Sequence, residues 1–406
     1  MKRSNIFLIV FLLLGFTIQA QQLLSYSQAL DSAMLKNPDL IMARKLQMYQ
    51  SAKVATAFDL PATQFVQEFT RGVAVNVPWQ STVTQSGEWP GVYKNQREIY
   101  QAEAKIAGWT LKDKEAFIQK SVLLAQLNYV TTVRLLQEMT HWDSLWSTGV
   151  QYAYLRVRLG ESAVLESKSI QQQHRQWQSQ IIAWRADSLR YLNEWRQLCS
   201  SYTAIPSLDT YVWNEISTYP IEGSLEHPYL QQWKGASLVA QQQVQLEKSK
   251  LFPSWSIGFQ HYPATPLNTA FLGGKDAKAY VLMAGWSLPI FTRGQMARVK
   301  QAKQGVQLMD ATITAEQSRW LSNYRIAFAN YMAAKNKLTL YENTLLPEAR
   351  QLLVISAEQY KLGNINYLEW LMLAQQNLQT VINYWQSLPQ YNQEAIELHY
   401  LNTSRK

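Results

Sequence analysis

Few residues in this sequence have the type and spacing to carry chemistry. The five histidines, His141, His174, His227, His261 and His399, never fall at a metal-ligand spacing, and Cys199 is the lone cysteine. A zinc or redox centre needs such groups clustered. Gly273-Gly274-Lys275 sits between two strand-like segments rather than ahead of a helix, so it is not a phosphate cradle. No G-x-S-x-G or G-x-G-x-x-G stands in the context its chemistry needs. These readings argue against an enzyme and imply no cofactor and no metal site. What stands out instead is a charged motif built around a glycine, and it occurs twice. Residues 156–166 read RVRLGESAVLE and residues 359–369 read QYKLGNINYLE, at a single offset of 203. Gly160 aligns with Gly363, Leu165 with Leu368 and Glu166 with Glu369, and Gln172-Gln173 recurs as Gln375-Gln376. Each glycine interrupts two long stretches that otherwise read as helix, and each acid falls near the start of the following helix, where the macrodipole favours it.

Other echoes run in the same order. Asn37-Pro38 is matched by His227-Pro228, Leu60-Pro61 by Phe252-Pro253, and Trp89-Pro90-Gly91 by Leu288-Pro289-Ile290, at offsets of 190, 192 and 199. Offsets that drift steadily in one direction are the mark of a duplicated unit with small insertions. Each unit reads as helix, strand pair and long helical hairpin. The opening helices are expected from about Ser27 to Phe58 and from about Ser224 to Leu251, closed by Pro61 and Pro253. In the second unit Trp255, Ile257 and Phe259 alternate with Ser254, Ser256, Gly258 and Gln260, and Tyr280, Leu282, Ala284, Trp286 and Leu288 alternate again. Period-two patterning predicts two strands. The first unit is more polar: Phe65 and Phe69 share a face, and WQSTVTQSGEW predicts a second strand with a very small loop between the two.

Trp89, Pro90, Gly91 and Pro289 mark the turns from strands to helices. From Lys94 to Arg158 there is no proline, which predicts a helix about 100 Å long. Trp320, Tyr324, Ala327, Tyr331, Ala334, Leu338 and Tyr341 alternate steps of four and three, and Leu135, Met139, Trp142 and Trp146 follow the same rhythm. Such a stripe is a coiled-coil seam, packing rather than a cofactor box.

The bulk numbers agree. A chain of 406 residues with 16 glycines and 13 prolines is too poor in turn formers for an all-β protein. The net charge of +9 is spread along the chain, so no nucleic-acid footprint is present. Residues 1–20 combine Lys2 and Arg3, an apolar run from Ile6 to Ile18 and small Ala20, the pattern of a secretory signal peptide. That run is shorter than the ~20 residues of a spanning helix, and no later segment reaches that length. An exported chain with one cysteine is held by packing alone. The expected organisation is a signal peptide at 1–20, a first repeat at 21–200, a short segment at 201–223, and a second repeat at 224–406. Four strands of this length suit a transmembrane β-barrel but cannot close one, so either a barrel is shared among copies or the strands belong to a soluble sheet. Export, two strand pairs and long helical rods favour sharing.

With Asn37-Pro38, His227-Pro228, GWSLPIFTRGQ (285–295) and YKLGNINYLE (360–369), the sequence resembles the TolC-type outer-membrane efflux proteins over nearly all of the mature chain. QSGEWPGVYK (85–94) is similar to the form seen in the heavy-metal, CzcC/CusC-like branch. The resemblance implies a mainly α fold with a small β portion: a long α-helical coiled-coil barrel below a transmembrane β-barrel of twelve strands per homotrimer, four per chain. It also implies a location in the Gram-negative outer membrane, in contact with its lipid and reaching into the periplasm. The expected partners are a periplasmic adaptor protein and an inner-membrane RND pump, and the expected cargo is metal cations or small toxic molecules. A type I protein secretion channel is the alternative the same resemblance allows.

In that family the glycine motifs lie at the periplasmic tip, where adaptor hairpins dock. Carried across, the docking residues are Arg156, Arg158 and Gly160 in the first motif, and Gln359, Tyr360, Lys361 and Gly363 in the second. Arg156 matches the family's tip arginine, whereas Gln359 departs from it. Glu166 and Glu369 are then candidate tunnel-entrance acids, six per trimer.

Overall fold

The ends of the helices are written in short capping sequences. Ser25 caps the first helix with a reciprocal pair: its Oγ accepts from the Gln28 amide at 3.4 Å, and Gln28 Oε1 accepts from the Ser25 amide at 3.1 Å. Asn37 ends that helix and starts the next, its Oδ1 accepting from the Asp39 amide at 2.9 Å and its Nδ2 donating to the Leu198 carbonyl at 3.0 Å. His227 does the same job for its own helix, with Nδ1 accepting from the Tyr229 amide at 3.2 Å and Pro228 at the first helical position. The recurring Asn-Pro and His-Pro pairs are therefore helix starts, and His227 is a cap.

The computed structural model describes residues 23–69, 79–209, 212, 226–262 and 279–402. In chain order the elements are β1 (Leu23–Leu24), α1 (Tyr26–Lys36), α2 (Pro38–Lys53), β2 (Gln64–Glu68), β3 (Gln80–Gly87), α3 (Pro90–Arg158), α4 (Val164–Cys199), β4 (Ile205–Pro206), α5 (Pro228–Ser249), β5 (Ser254–Tyr262), β6 (Ala279–Ser287), α6 (Arg293–Leu340), α7 (Leu346–Lys361) and α8 (Tyr367–Asn402). A 3-10 turn at Val54–Ala57 follows α2, and a π turn at Tyr341–Leu345 joins α6 to α7. The order helix, two strands, long hairpin occurs twice, as the repeat predicts. The signal-peptide segment, the loop within the first strand pair and Gly273-Gly274-Lys275 lie outside the described residues.

Two compact units form, and each draws on both repeats. One takes 42–113 and 225–320, the other takes 1–41, 114–224 and 321–403. The strands β2, β3, β5 and β6 lie in the first of these as one antiparallel sheet in that order. Its register sets Phe65, Val83, Phe259 and Leu282 side by side in one row across all four strands. Ile257, Ala284, Trp255, Trp286 and Tyr280 share that face with Gln67, Ser81 and Gln85, while Gln64, Thr82, Thr84, Ser86, Ser256 and Gln260 occupy the other with Val66, Val281 and Met283. The first-repeat strands look polar in sequence because β3 alternates and Val83 is the main apolar residue on its outward side.

In the other unit β1 pairs with β4 in parallel, and the core is a helical seam. Leu135, Met139, Trp142 and Trp146 are buried along α3, as are Tyr324, Ala327, Tyr331, Ala334 and Leu338 along α6. Three boundaries differ from expectation. The opening runs end close to expectation, at Ala57 through the 3-10 turn and at Ser249, but the first is two helices divided at Asn37. Helix α3 begins at Pro90 itself, with proline at the first position where its missing N–H costs nothing. The seam does not continue through Tyr341: after Leu338 the next buried positions are Leu346, Ala349, Leu353, Ser356 and Tyr360. The π turn absorbs one extra residue there and hands the stripe to the same face one position later.

Candidate functional site at the paired helix reversals

The two glycine motifs fold alike at the backbone. Gly160 and Gly363 both have φ of +76°, the left-handed region that glycine enters without penalty. The Gly160 amide donates to the Val157 carbonyl at 3.1 Å and the Glu161 amide to the Arg156 carbonyl at 2.9 Å. In the second motif the Gly363 amide donates to Tyr360 at 3.1 Å and the Asn364 amide to Gln359 at 3.0 Å. Both are Schellman caps, which satisfy the last carbonyls of α3 and α7 and reverse the chain. The returning helices α4 and α8 each begin four residues after their glycine.

The side chains then diverge. In the second motif Asn366 Oδ1 accepts from the Glu369 amide at 2.9 Å, and Glu369 Oε2 accepts from the Asn366 amide at 3.0 Å. Glu369 is thereby consumed in a capping box. The matching position in the first motif is Ala163, which offers no side-chain cap, so Glu166 is free to bond elsewhere. Its Oε1 accepts the Tyr360 hydroxyl at 2.8 Å and lies 3.9 Å from Arg156 Nη1. The Arg156 guanidinium in turn sits 5.6 Å from the Tyr360 ring centroid, within cation–π range. The two acids are therefore bonded differently: Glu369 closes its own helix start, and Glu166 ties the first reversal to the second. Burial, reinforced by the hydrogen bond to Glu166, pushes the Tyr360 phenol well above its ordinary range.

Gln359 stands where the first motif has Arg156, and its Oε1 accepts from Asn364 Nδ2 at 2.8 Å within its own turn. Arg158 lies 5.9 Å from the Tyr154 ring one turn back on α3. Lys361 reaches across to Tyr152 of α3 at 5.7 Å. Sequence reasoning missed the aromatic support beneath these groups. Trp370 stacks on Tyr360 with centroids 4.9 Å apart and meets Trp146 edge-on at 5.6 Å. Gly149 makes room for it, since a Cβ there would lie 2.6 Å from the indole. The available signal was Trp370 immediately after the second motif. Tyr367 adds a second tie, donating to Ser169 Oγ at 2.6 Å. A groove of about 220 Å³ opens beside this cluster, lined by His141, Trp142, Tyr152, Val354 and Lys361.

The strand-to-helix turns Trp89, Pro90, Gly91 and Pro289 lie in the sheet-bearing unit, apart from this cluster in the sequence. Trp89 stacks on Phe252 at 5.3 Å. Among the described residues no group of histidine, cysteine and acid side chains could hold a metal ion. Cys199 is buried, and burial pushes its thiol up to about 12, so it is no nucleophile. Among the described residues no helix is long and apolar enough to cross a membrane.

Residues 225–401 match the family model described as outer membrane efflux protein. The fold is that of solved outer-membrane channels. It matches CusC with a TM-score of 0.79 at 15% identity, covering 94% of this chain and 92% of that one. The outer membrane protein VceC of Vibrio cholerae matches with a TM-score of 0.75 at 15% identity, over 94% of this chain and 97% of that one. The CmeC outer membrane channel of Campylobacter jejuni matches with a TM-score of 0.75 at 13% identity, over 93% and 85%. No curated protein matches the chain.

Proposed function

We propose that this chain is an outer-membrane efflux channel: a passive, non-enzymatic exit duct that works as a homotrimer with a periplasmic adaptor and an inner-membrane RND pump. The observation that carries the proposal is the sheet β2-β3-β5-β6. One face is aromatic and aliphatic and stands exposed, with Phe65 at 64% and Leu282 at 79%. The other face is the more polar one, its glutamines, serines and threonines interrupted by Val66, Val281 and Met283, and neither edge strand has a partner on its outer side among the described residues. In lipid an open edge leaves backbone groups unpaired at several kcal/mol each, so such a sheet must be closed by further copies. Strands β5 and β6 have nine residues each, the length a tilted strand needs to cross a bilayer. An apolar outside and a polar inside are the pattern of an aqueous barrel.

The matches to outer-membrane channels and to the efflux family support the same reading. The paired reversals are the docking and gating end of the duct, with Arg156, Arg158 and Lys361 offered to the adaptor and the buried Tyr360 tying the two reversals together beneath them. The cargo class is metal cations or small toxic molecules. For the metal branch the support is the similarity of residues 85–94 alone, and selection lies in the pump rather than in a binding site here. Membrane fractionation tests the proposal. A heat-modifiable trimer in the outer-membrane fraction, with a deletion strain sensitised to metals, dyes or antibiotics, is the expected result. A monomer in the soluble periplasm would sink it.

A further inference from the structure

The sheet contains its own template for a contact between copies. Strand β3 ends the first strand pair, β5 begins the second, and the two join in register from Ser81–His261 to Gly87–Trp255. Just beyond that seam Trp89 stacks on Phe252 with ring planes 17° apart, and Trp255 Nε1 donates to the Glu88 carbonyl at 3.1 Å. These contacts all tie the end of one repeat's strand pair to the start of the other's. The repeat offsets of 199 and 192 put β6 and Leu288 where β3 and Trp89 stand, and β2 and Leu60 where β5 and Phe252 stand. Strands β6 and β2 are the two open edges of the sheet.

We propose that β6 of one copy pairs antiparallel with β2 of the next in the register Tyr280–Phe69, Leu282–Gln67, Ala284–Phe65 and Trp286–Thr63, seating Leu288 of one copy on Leu60 of the next. The inference rests on the shared-barrel reading and specifies the seam that this reading leaves open. Three observations agree with it independently of the offsets. A slip by one residue would oppose the two faces of the strands, yet the copied register sets Tyr280, Leu282, Ala284 and Trp286 against Phe65 and Phe69 on a common apolar face. Bulk is complementary as well. The in-chain seam sets Trp255 against Gly87, where a Cβ would lie 2.5 Å from the indole. The copied seam sets large Trp286 against small Thr63. Finally, Leu288, Ile290 and Phe291 project from the end of β6, with Phe291 97% exposed. Leu60 is a wall of a hollow of about 930 Å³ formed with Phe58, Tyr93 and Trp255. The seam therefore brings uncovered apolar chain to a mainly apolar hollow rimmed by Glu88, Lys94 and Arg97.

Cysteine pairs in the full-length chain test the register. Within one chain Phe65 and Ala284 lie on the first and fourth strands, more than ~14 Å apart across three strand spacings, beyond the ~7 Å reach of a disulfide. A bond between them must therefore join copies, and the buried Cys199 does not compete. Phe65→Cys with Ala284→Cys is expected to give a covalent, reducible trimer under mild oxidation. Phe65→Cys paired with Leu282→Cys or with Trp286→Cys is expected to give about tenfold less, because the Cα separation exceeds disulfide geometry. Gln67→Cys with Leu282→Cys reads the same register if the first pair does not fold. Efficient bonding only in the shifted pairs overturns the register. A heat-modifiable trimer that stays unlinked in all pairs overturns the seam while the channel reading stands. Absence of a trimer in the parent chain removes the channel reading itself.

Discussion

Gly160 and Gly363 show what a single residue contributes here. A Cβ at either glycine would meet nothing within 4 Å, so the cost of Gly160→Ala or Gly363→Ala is backbone strain alone, about 1–2 kcal/mol. The expected outcome is a loss of that size in local hydrogen-exchange protection at the reversal, with Asn tolerated better than Ala. The two acids separate more sharply. Glu369→Ala removes half of a capping box and is expected to cost about 1 kcal/mol at the start of α8. Glu166→Ala instead unties Tyr360. In a double-mutant cycle read by hydrogen exchange, Glu166→Ala and Tyr360→Phe are expected to couple by about 1 kcal/mol, with Glu369→Ala and Tyr360→Phe additive. Equal coupling for both acids would contradict the assignment. Glycine spacing made the reversals legible in the sequence. The difference between the acids was not, because it depends on Ala163 standing where Asn366 caps and on Tyr360 lying against the other hairpin.

At the scale of elements, periodicity carried most of the fold. Steps of four and three from Trp320 to Leu338 marked a seam, and alternation from Ser254 to Gln260 marked a strand, because helix and strand repeat at 3.6 and 2.0 residues. Where an irregularity intervened, periodicity gave the wrong continuation. Tyr341 fits the rhythm in sequence, but the π turn at Tyr341–Leu345 shifts the buried stripe by one residue. A π turn is an inserted residue within a helix, which makes a prediction. Deleting Asn343 restores an ordinary spacing between Leu338 and Leu346 and is expected to change stability by less than ~1 kcal/mol. Deleting Asn336, inside the regular stretch of α6, turns the buried side chains on one side of the deletion by about 100° and is expected to cost more than ~3 kcal/mol. Thermal unfolding of the two deletions compares them directly, and equal losses would contradict the insertion reading.

For the whole molecule the decisive features are shared between copies, and a single sequence shows them only as things left unfinished. Four strands cannot close, Phe65 and Leu282 are exposed with nothing among the described residues to cover them, and Leu288 to Phe291 project from the sheet's edge. Lipid, water and two further copies complete these surfaces in the proposed duct. Cargo is least legible, because a passive wall needs no dedicated ligands. Conductance tests the central claim most directly. The purified, folded trimer added to a planar lipid bilayer is expected to produce discrete ion-conducting steps, enlarged when Glu166→Ala releases the reversal cluster. A folded trimer that leaves the bilayer at its background conductance, with and without that substitution, would contradict the account.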